Sequence, residues 1–163
     1  MSDGSDAVVL VEIPAGSRNK YEWDDELGGI VLDRRLFTAM AYPADYGFVI
    51  GTLGEDDDPL DALVLTSDPT FPGCRIRVRV VGVFHMSDEK GPDEKLLCVP
   101  LQDPAFQGVR DIHDVNAELR DEIEHFFQRY KDLEPSKRTD TRGWGNRAEA
   151  ERILDEARRR NGG

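Results

Sequence analysis

The sequence predicts a mainly β protein with added helix, of the α+β class: a small closed barrel of five strands with two C-terminal helices packed outside it. Three observations carry that reading. Short apolar runs recur through the first hundred residues, separated by Pro, Gly and Asp. The last third of the chain changes to a helical period. Strands and helices do not alternate, which argues against a parallel sheet built from β-α units. Closure suits short strands at this spacing, because it leaves no unpaired edge.

Taken in order, residues 1–6 read as a disordered polar tail, and residues 7–163 as one domain, since 163 residues are enough for one well-buried core and short for two. "AVVLVEIP" is a strand stopped by Pro14. "NKYEWDDELGGIVLDRR" is a pair of strands joined around Gly28 and Gly29. Further strands are expected at "YGFVI", "LDALVL", "CRIRVRVVGVFHM" and "KLLCVP". Val115, Leu119, Ile123, Phe126, Phe127 and Tyr130 then follow helical spacing over residues 115–131, with Asp114 in the N-cap place. "NRAEAERILDEARRR" is a second helix, with Asn146 and Glu149 as a capping pair and arginines in the last turn to answer the helix dipole.

Composition restricts the function classes. Acidic residues number 33 against 21 basic ones, a formal charge of -12, which repels nucleic acid and anionic lipid and attracts metal cations. No run approaches the length of a membrane span, and "MSDGSDA" has no secretory pattern, so no membrane partner and a cytoplasmic location are expected. Cys74 and Cys98 lack zinc spacing and read as reduced, mostly buried thiols. His85 and His113 carry no ligand spacing and read as structural.

The chemistry concentrates in "GEDDDPLDALVL". Asp56, Asp58 and Asp61 form D-x-D-x-x-D, and Pro59 forbids a helix through the cluster. Carboxylates this close repel one another unless a cation compensates, and an oxygen-only set suits a hard ion such as Mg²⁺ or Mn²⁺. An EF-hand loop does not fit, because its Gly and Glu places hold Asp61 and Ser67. Asp88 and Asp93 flank a second turn in "MSDEKGPDEKLL". Lys20 and Glu22 share a strand face. Arg34 and Arg35, "AYPADYGF" with Tyr42, Asp45 and Tyr46, and Tyr130 with Lys131 add phosphate-binding and hydrogen-bonding groups. Together these describe a site for a metal-loaded, phosphate-rich anion.

Read together, "NKYE", "LDRRLFTAMAYPADYGF", "DDDPLDAL", "FPGCRIRVRVVGVFHMSDEKGPDEK" and "HFFQRYKDLEP" resemble, in order, the soluble family I inorganic pyrophosphatases of the short bacterial type. The resemblance runs from about Val8 to the last helix. It implies an OB-like barrel, a homohexamer with the helix carrying His125, Phe126 and Phe127 as a candidate interface, and hydrolysis of pyrophosphate to two orthophosphates by a water bridging metal ions, with several Mg²⁺ per site and Mn²⁺ as an alternative. By the same resemblance Asp56, Asp61 and Asp93 hold the tightest ion, Asp61 is shared with a second, and Asp88 and Asp93 hold one brought in with substrate. Glu22 and Glu12 support a weaker one. Lys20, Arg34, Tyr46, Lys95, Tyr130 and Lys131 grip the phosphoryl groups, and Asp58 is the general base, with Asp93 next in line. Asp45 and Asp57 depart from the pattern, which often has Asn and Gly there, and each is expected to make the site more acidic.

Three other readings compete. An OB-type binding module would want a basic groove with exposed aromatics, and the charge here has the wrong sign. A divalent-cation-binding protein without catalysis leaves Lys20, Arg34, Lys95 and Lys131 unexplained. Phosphatases that form an aspartyl-phosphate place D-x-D after an apolar strand, whereas here the apolar run follows the aspartates.

Overall fold

The computed structural model describes residues 4–162. Nine strands and two helices follow in the order β1 (Asp6–Ile13), β2 (Asn19–Asp24), β3 (Gly29–Arg35), β4 (Asp45–Val49), β5 (Asp61–Val64), β6 (Arg75–Asp88), β7 (Gly91–Pro92), β8 (Lys95–Pro100), α1 (Ala117–Arg129), β9 (Thr139–Gly145) and α2 (Arg147–Arg160). Strands β1, β4, β5, β8 and β6 hydrogen-bond in that order, and β1 pairs back onto β6. The barrel of five strands is therefore closed, as the sequence predicts.

The barrel wall is apolar on both faces, which is why "ALVL" and "KLLCV" read as continuous hydrophobic runs rather than alternating ones. On one face Val9, Ala62, Val64, Leu96 and Cys98 pack with Ile153, Leu154 and Ala157 of α2. On the other Leu63, Leu97, Phe84 and Ile13 pack with Ile123, Phe126 and Phe127 of α1. Phe126 and Phe127 thus belong to this core, while His125 is exposed beside them. Strand β4 lies so close on β1 that a Cβ on Gly47 would stand 1.9 Å from the Leu10 carbonyl oxygen. Glycine is required there by contact, beside an irregularity in the β1–β4 register.

Several expectations are corrected. The tail drawn over residues 1–6 falls in part on residues 1–3, outside the described residues. Ser5 is buried, its carbonyl accepts from Val80 N–H at 2.8 Å, and Asp6 opens β1. Helix α1 starts at Ala117 rather than 115, with Asn116 as N-cap. Asp114 is engaged instead in a 3₁₀ turn (Ile112–Asp114), where its carboxylate accepts the N–H groups of Arg110 and Asp111. Strand β9 is unforeseen, because "TDTRGWG" has no apolar alternation; it forms by pairing with the far half of β6. For α2, Asn146 caps the Glu149 N–H as expected, but the Glu149 carboxylate reaches His85 Nε2 at 2.9 Å. His85 Nδ1 meets Glu94 at 2.5 Å, so this histidine ties β6 to α2 and to the segment before β8.

Candidate active site

A cleft of about 680 Å³ opens beside the barrel, and its lining contains every residue to which the family resemblance gives a catalytic, substrate or metal role: Glu12, Lys20, Glu22, Arg34, Tyr46, Asp56, Asp58, Asp61, Asp88, Asp93, Lys95, Tyr130 and Lys131. Their positions follow from register. Parallel pairing of β5 with β8 sets Asp61 opposite Lys95, and the β2–β3 hairpin sets Lys20 opposite Arg34. The end of β6 and the short β7 turn supply Asp88 and Asp93, and the chain leaving α1 supplies Tyr130 and Lys131.

Lys95 is the centre of the cleft. Its side chain is almost fully buried, and Nζ donates to Tyr46 Oη at 2.7 Å, Asp61 Oδ2 at 3.0 Å and Asp93 Oδ2 at 3.0 Å. The ammonium also sits over the rings of Tyr46 (5.0 Å) and Phe127 (5.2 Å), so charge partners and ring faces together offset its desolvation. The two carboxylates on Lys95 titrate apart. Burial pushes Asp61 up to about 7, with Lys95 opposing and the nearby Asp93 carboxylate adding. Burial also acts to raise Asp93, but Lys95, the hydrogen bond with Asp61 and Lys131 outweigh it and leave it lowered. Burial holds the phenols of Tyr42, Tyr46 and Tyr130 well above their usual range, so each remains a hydrogen-bond donor at neutral pH.

The acidic loop is closed on itself: Gly54 N–H donates to the Asp58 carbonyl at 2.7 Å and Asp58 N–H to Asp56 Oδ1 at 3.1 Å. Thr52 pins its base, accepting the Leu60 N–H at 3.0 Å and donating to the Val49 carbonyl at 2.7 Å. Across the cleft, Lys20 Nζ meets Asp33 at 2.9 Å and Glu22 at 3.4 Å. Glu12 accepts the Trp23 N–H, and burial raises its pKa. Lys131 stands 3.8 Å from Asp88 and 3.7 Å from Glu89, above the Tyr130 ring, while Tyr130 stacks on Phe126.

Some cleft residues are not singled out by the sequence, and some singled-out residues lie elsewhere. Asp33, Glu89 and Lys137 line the cleft; lone charges in surface strands and loops carry no pattern that would have found them. Glu134 pairs with Arg34 at 2.8 Å, and Arg34 Nε and Glu134 Oε2 are buried with no partner among the described residues. Asp45 is not in the cleft. It is fully buried, accepts from Ala15 N–H at 2.9 Å, and takes the Thr70 N–H and hydroxyl at 3.1 and 2.5 Å, which makes it a brace between two loops. Asp57 occupies a left-handed backbone position, φ 66°, which explains why Gly suits that place.

The donor set fits hard divalent cations. All candidate ligands are carboxylate oxygens, and around the cleft carboxylates outnumber cationic side chains ten to six, so a polyanion is repelled unless cations enter with it. Among the described residues, no three His, Cys, Asp or Glu side chains converge closely enough to hold an ion; the fit rests on donor chemistry.

The family model for inorganic pyrophosphatase matches residues 9–161. The chain belongs to the inorganic pyrophosphatase family. Its relatives include the inorganic pyrophosphatases of Streptomyces coelicolor, 59% identical over 152 residues that cover 93% of each chain, and of Corynebacterium efficiens, 60% identical over 146 residues covering 90% of this chain and 92% of that one. The solved inorganic pyrophosphatase of Thermus thermophilus superposes with a TM-score of 0.96 at 44% identity, covering 98% of this chain and 92% of its own. That of Helicobacter pylori gives 0.96 at 43%, covering 100% and 97%. Likeness to these pyrophosphatases extends over nearly the whole chain.

Proposed function

We propose that this chain hydrolyses inorganic pyrophosphate to two orthophosphates by direct attack of water, without a covalent enzyme intermediate. What supports the reading is that family membership and a single cleft coincide: the cleft gathers an oxygen-only acidic set, a buried lysine and the basic and phenolic groups a diphosphate needs.

Asp56, Asp61 and Asp93 would hold the tightest metal ion, with Asp61 shared with a second; Asp88 and Asp93 would hold one that arrives with substrate, and Glu22 and Glu12 would support a weaker one. When bound, such ions neutralise phosphoryl oxygens and acidify water from a pKa of about 15.7 towards 7. Asp58, exposed at the loop rim, accepts the proton of the attacking water. Lys20, Arg34 and Lys131 offset charge developing on the leaving phosphate, and the protonated phenols of Tyr46 and Tyr130 donate to its oxygens. Lys95 holds Asp61 and Asp93 in place and adds its charge to those that grip the phosphoryl groups. The same reading takes Mg²⁺ as the working ion with Mn²⁺ as a substitute, a homohexamer as the assembly, and the cytoplasm as the location. Among the described residues no helix is long and apolar enough to cross a membrane.

Phosphate release from pyrophosphate, followed with Mg²⁺ present and after chelation, tests the proposal. Metal-dependent release is expected. Metal uptake without release would instead favour a cation-binding protein.

A further inference from the structure

The three arginines that close α2, Arg158, Arg159 and Arg160, read in the sequence as a complement to the helix dipole. Arg159 stays on its own helix, pairing with Asp155 at 2.5 Å, and Arg160 Nη2 also comes within 3.9 Å of Glu156 on that helix. Arg158 donates to the Asp6 carbonyl at 2.6 Å. Arg160 turns towards the acidic loop: Nη1 donates to the Leu53 carbonyl at 3.2 Å and Nη2 stands 3.8 Å from Glu55. One turn earlier, the Ala157 carbonyl accepts the Leu53 N–H at 2.9 Å. The last turn of α2 therefore takes both backbone groups of Leu53, the residue from which the loop departs.

Thr52 and Leu60 tie the base of that loop to β4, but nothing comparable among the described residues holds its tip. Residues 55–59 are all exposed, so no core contact fixes the stretch that carries Asp56 and Asp58. Its internal hydrogen bonds set its shape but not its position relative to the barrel. A recess of about 120 Å³ separates it from α2, with Asp56, Asp61 and Asp93 on one wall and Arg152 and Arg160 on the other.

We infer that Arg160 is a positioning residue for the metal-binding loop, fixing where Asp56 and Asp58 stand relative to Asp61 and Asp93. The inference rests on the proposed function. It is separable from a simple charge effect by sign. Removing a positive charge near an acidic site tightens cation binding through electrostatics alone, whereas loosening the loop weakens it.

The test is a calorimetric Mg²⁺ titration of the substrate-free protein. Arg160→Ala is expected to raise the Mg²⁺ dissociation constant roughly three- to tenfold, the scale of one lost hydrogen bond. Arg160→Lys, which keeps the charge and one donor, should fall between that variant and the wild type. Arg159→Ala, which removes a charge of the same sign in the same turn, should bind Mg²⁺ as tightly as wild type or tighter. Phosphate release by Arg160→Ala should recover towards the wild-type rate at saturating Mg²⁺. An unchanged or tighter isotherm for Arg160→Ala overturns the inference; should that variant fail to fold, an unchanged isotherm for Arg160→Lys does so. Wild-type protein that neither takes up Mg²⁺ nor releases phosphate would overturn the functional reading, and this inference with it.

Discussion

Lys95 has a structural role that its place in the sequence does not reveal. In the sequence it is one of several lysines that could face phosphate. In the fold it is the buried charge that allows Asp61 and Asp93 to share a wall of the cleft. Removing one partner of a buried pair costs about 3–5 kcal/mol, and the lower end applies here because both carboxylates keep some exposure to the cleft. Lys95→Met should therefore lose about 3 kcal/mol in urea unfolding under chelation. Mg²⁺ should restore more stability to this variant than to wild type, since a cation can take over the lost compensation. Equal responses to Mg²⁺ would refute that account. Asp58 is the contrasting case, exposed and without a packing role. Asp58→Asn should keep its melting temperature while turnover drops by roughly two to four orders of magnitude; near-normal phosphate release would remove Asp58 as the base and leave Asp93 as the next candidate. Asp45 and Asp57 look alike in sequence, two extra charges near a site. Burial separates them: one is a hydrogen-bonded brace and the other fills a left-handed turn position.

At the level of elements, patterns that depend on near neighbours were readable and patterns that depend on distant partners were not. The β2–β3 hairpin, strands β4, β5, β6 and β8 and the cap of α2 follow from turn residues, apolar runs and a three-residue capping interval. β9 was not readable, because its residues become a strand only through the long β6 beside them. The start of α1 shifted for a similar reason: Asp114 had nearer amide donors in its own 3₁₀ turn and left the cap to Asn116. Gly47 supplies a test at this scale. A Cβ there would overlap the Leu10 carbonyl at 1.9 Å, and backbone cannot yield as a flexible side chain does. Gly47→Ala should cost about 1–3 kcal/mol or more, read as a lower urea midpoint at unchanged m-value. A variant as stable as wild type would mean that β4 does not bear on β1 as described.

For the molecule as a whole, placing an acidic cleft against an apolar barrel makes stability depend on pH when metal is withheld. Asp61 is raised from 3.8 to about 7 by burial. The native state therefore binds its proton more tightly than the unfolded chain, and the group's contribution to stability declines as pH rises from about 4 to about 7. Asp93 shifts the other way, so its contribution is present above the unfolded value and is lost only below this window. Calorimetric melting in chelator should show wild type losing stability relative to Asp61→Asn across that range. Parallel profiles would show that Asp61 titrates normally.

The sequence by itself determined the chemistry: a closed barrel of short strands, an excess of carboxylates that calls for cations, and the set of residues that meet in the cleft. The barrel and the call for cations rest on short-range spacing and composition, and the residue set on the family that the ordered motifs resemble, all of which the chain carries before it folds. Only the tertiary structure decided which charges are buried and which face each other. Lys95 lies between Asp61 and Asp93, Glu134 stands against Arg34, and α2 reaches back from the end of the chain to hold the acidic loop at Leu53. These contacts join residues far apart in sequence, and their energies depend on desolvation and register, which arise only when the barrel closes.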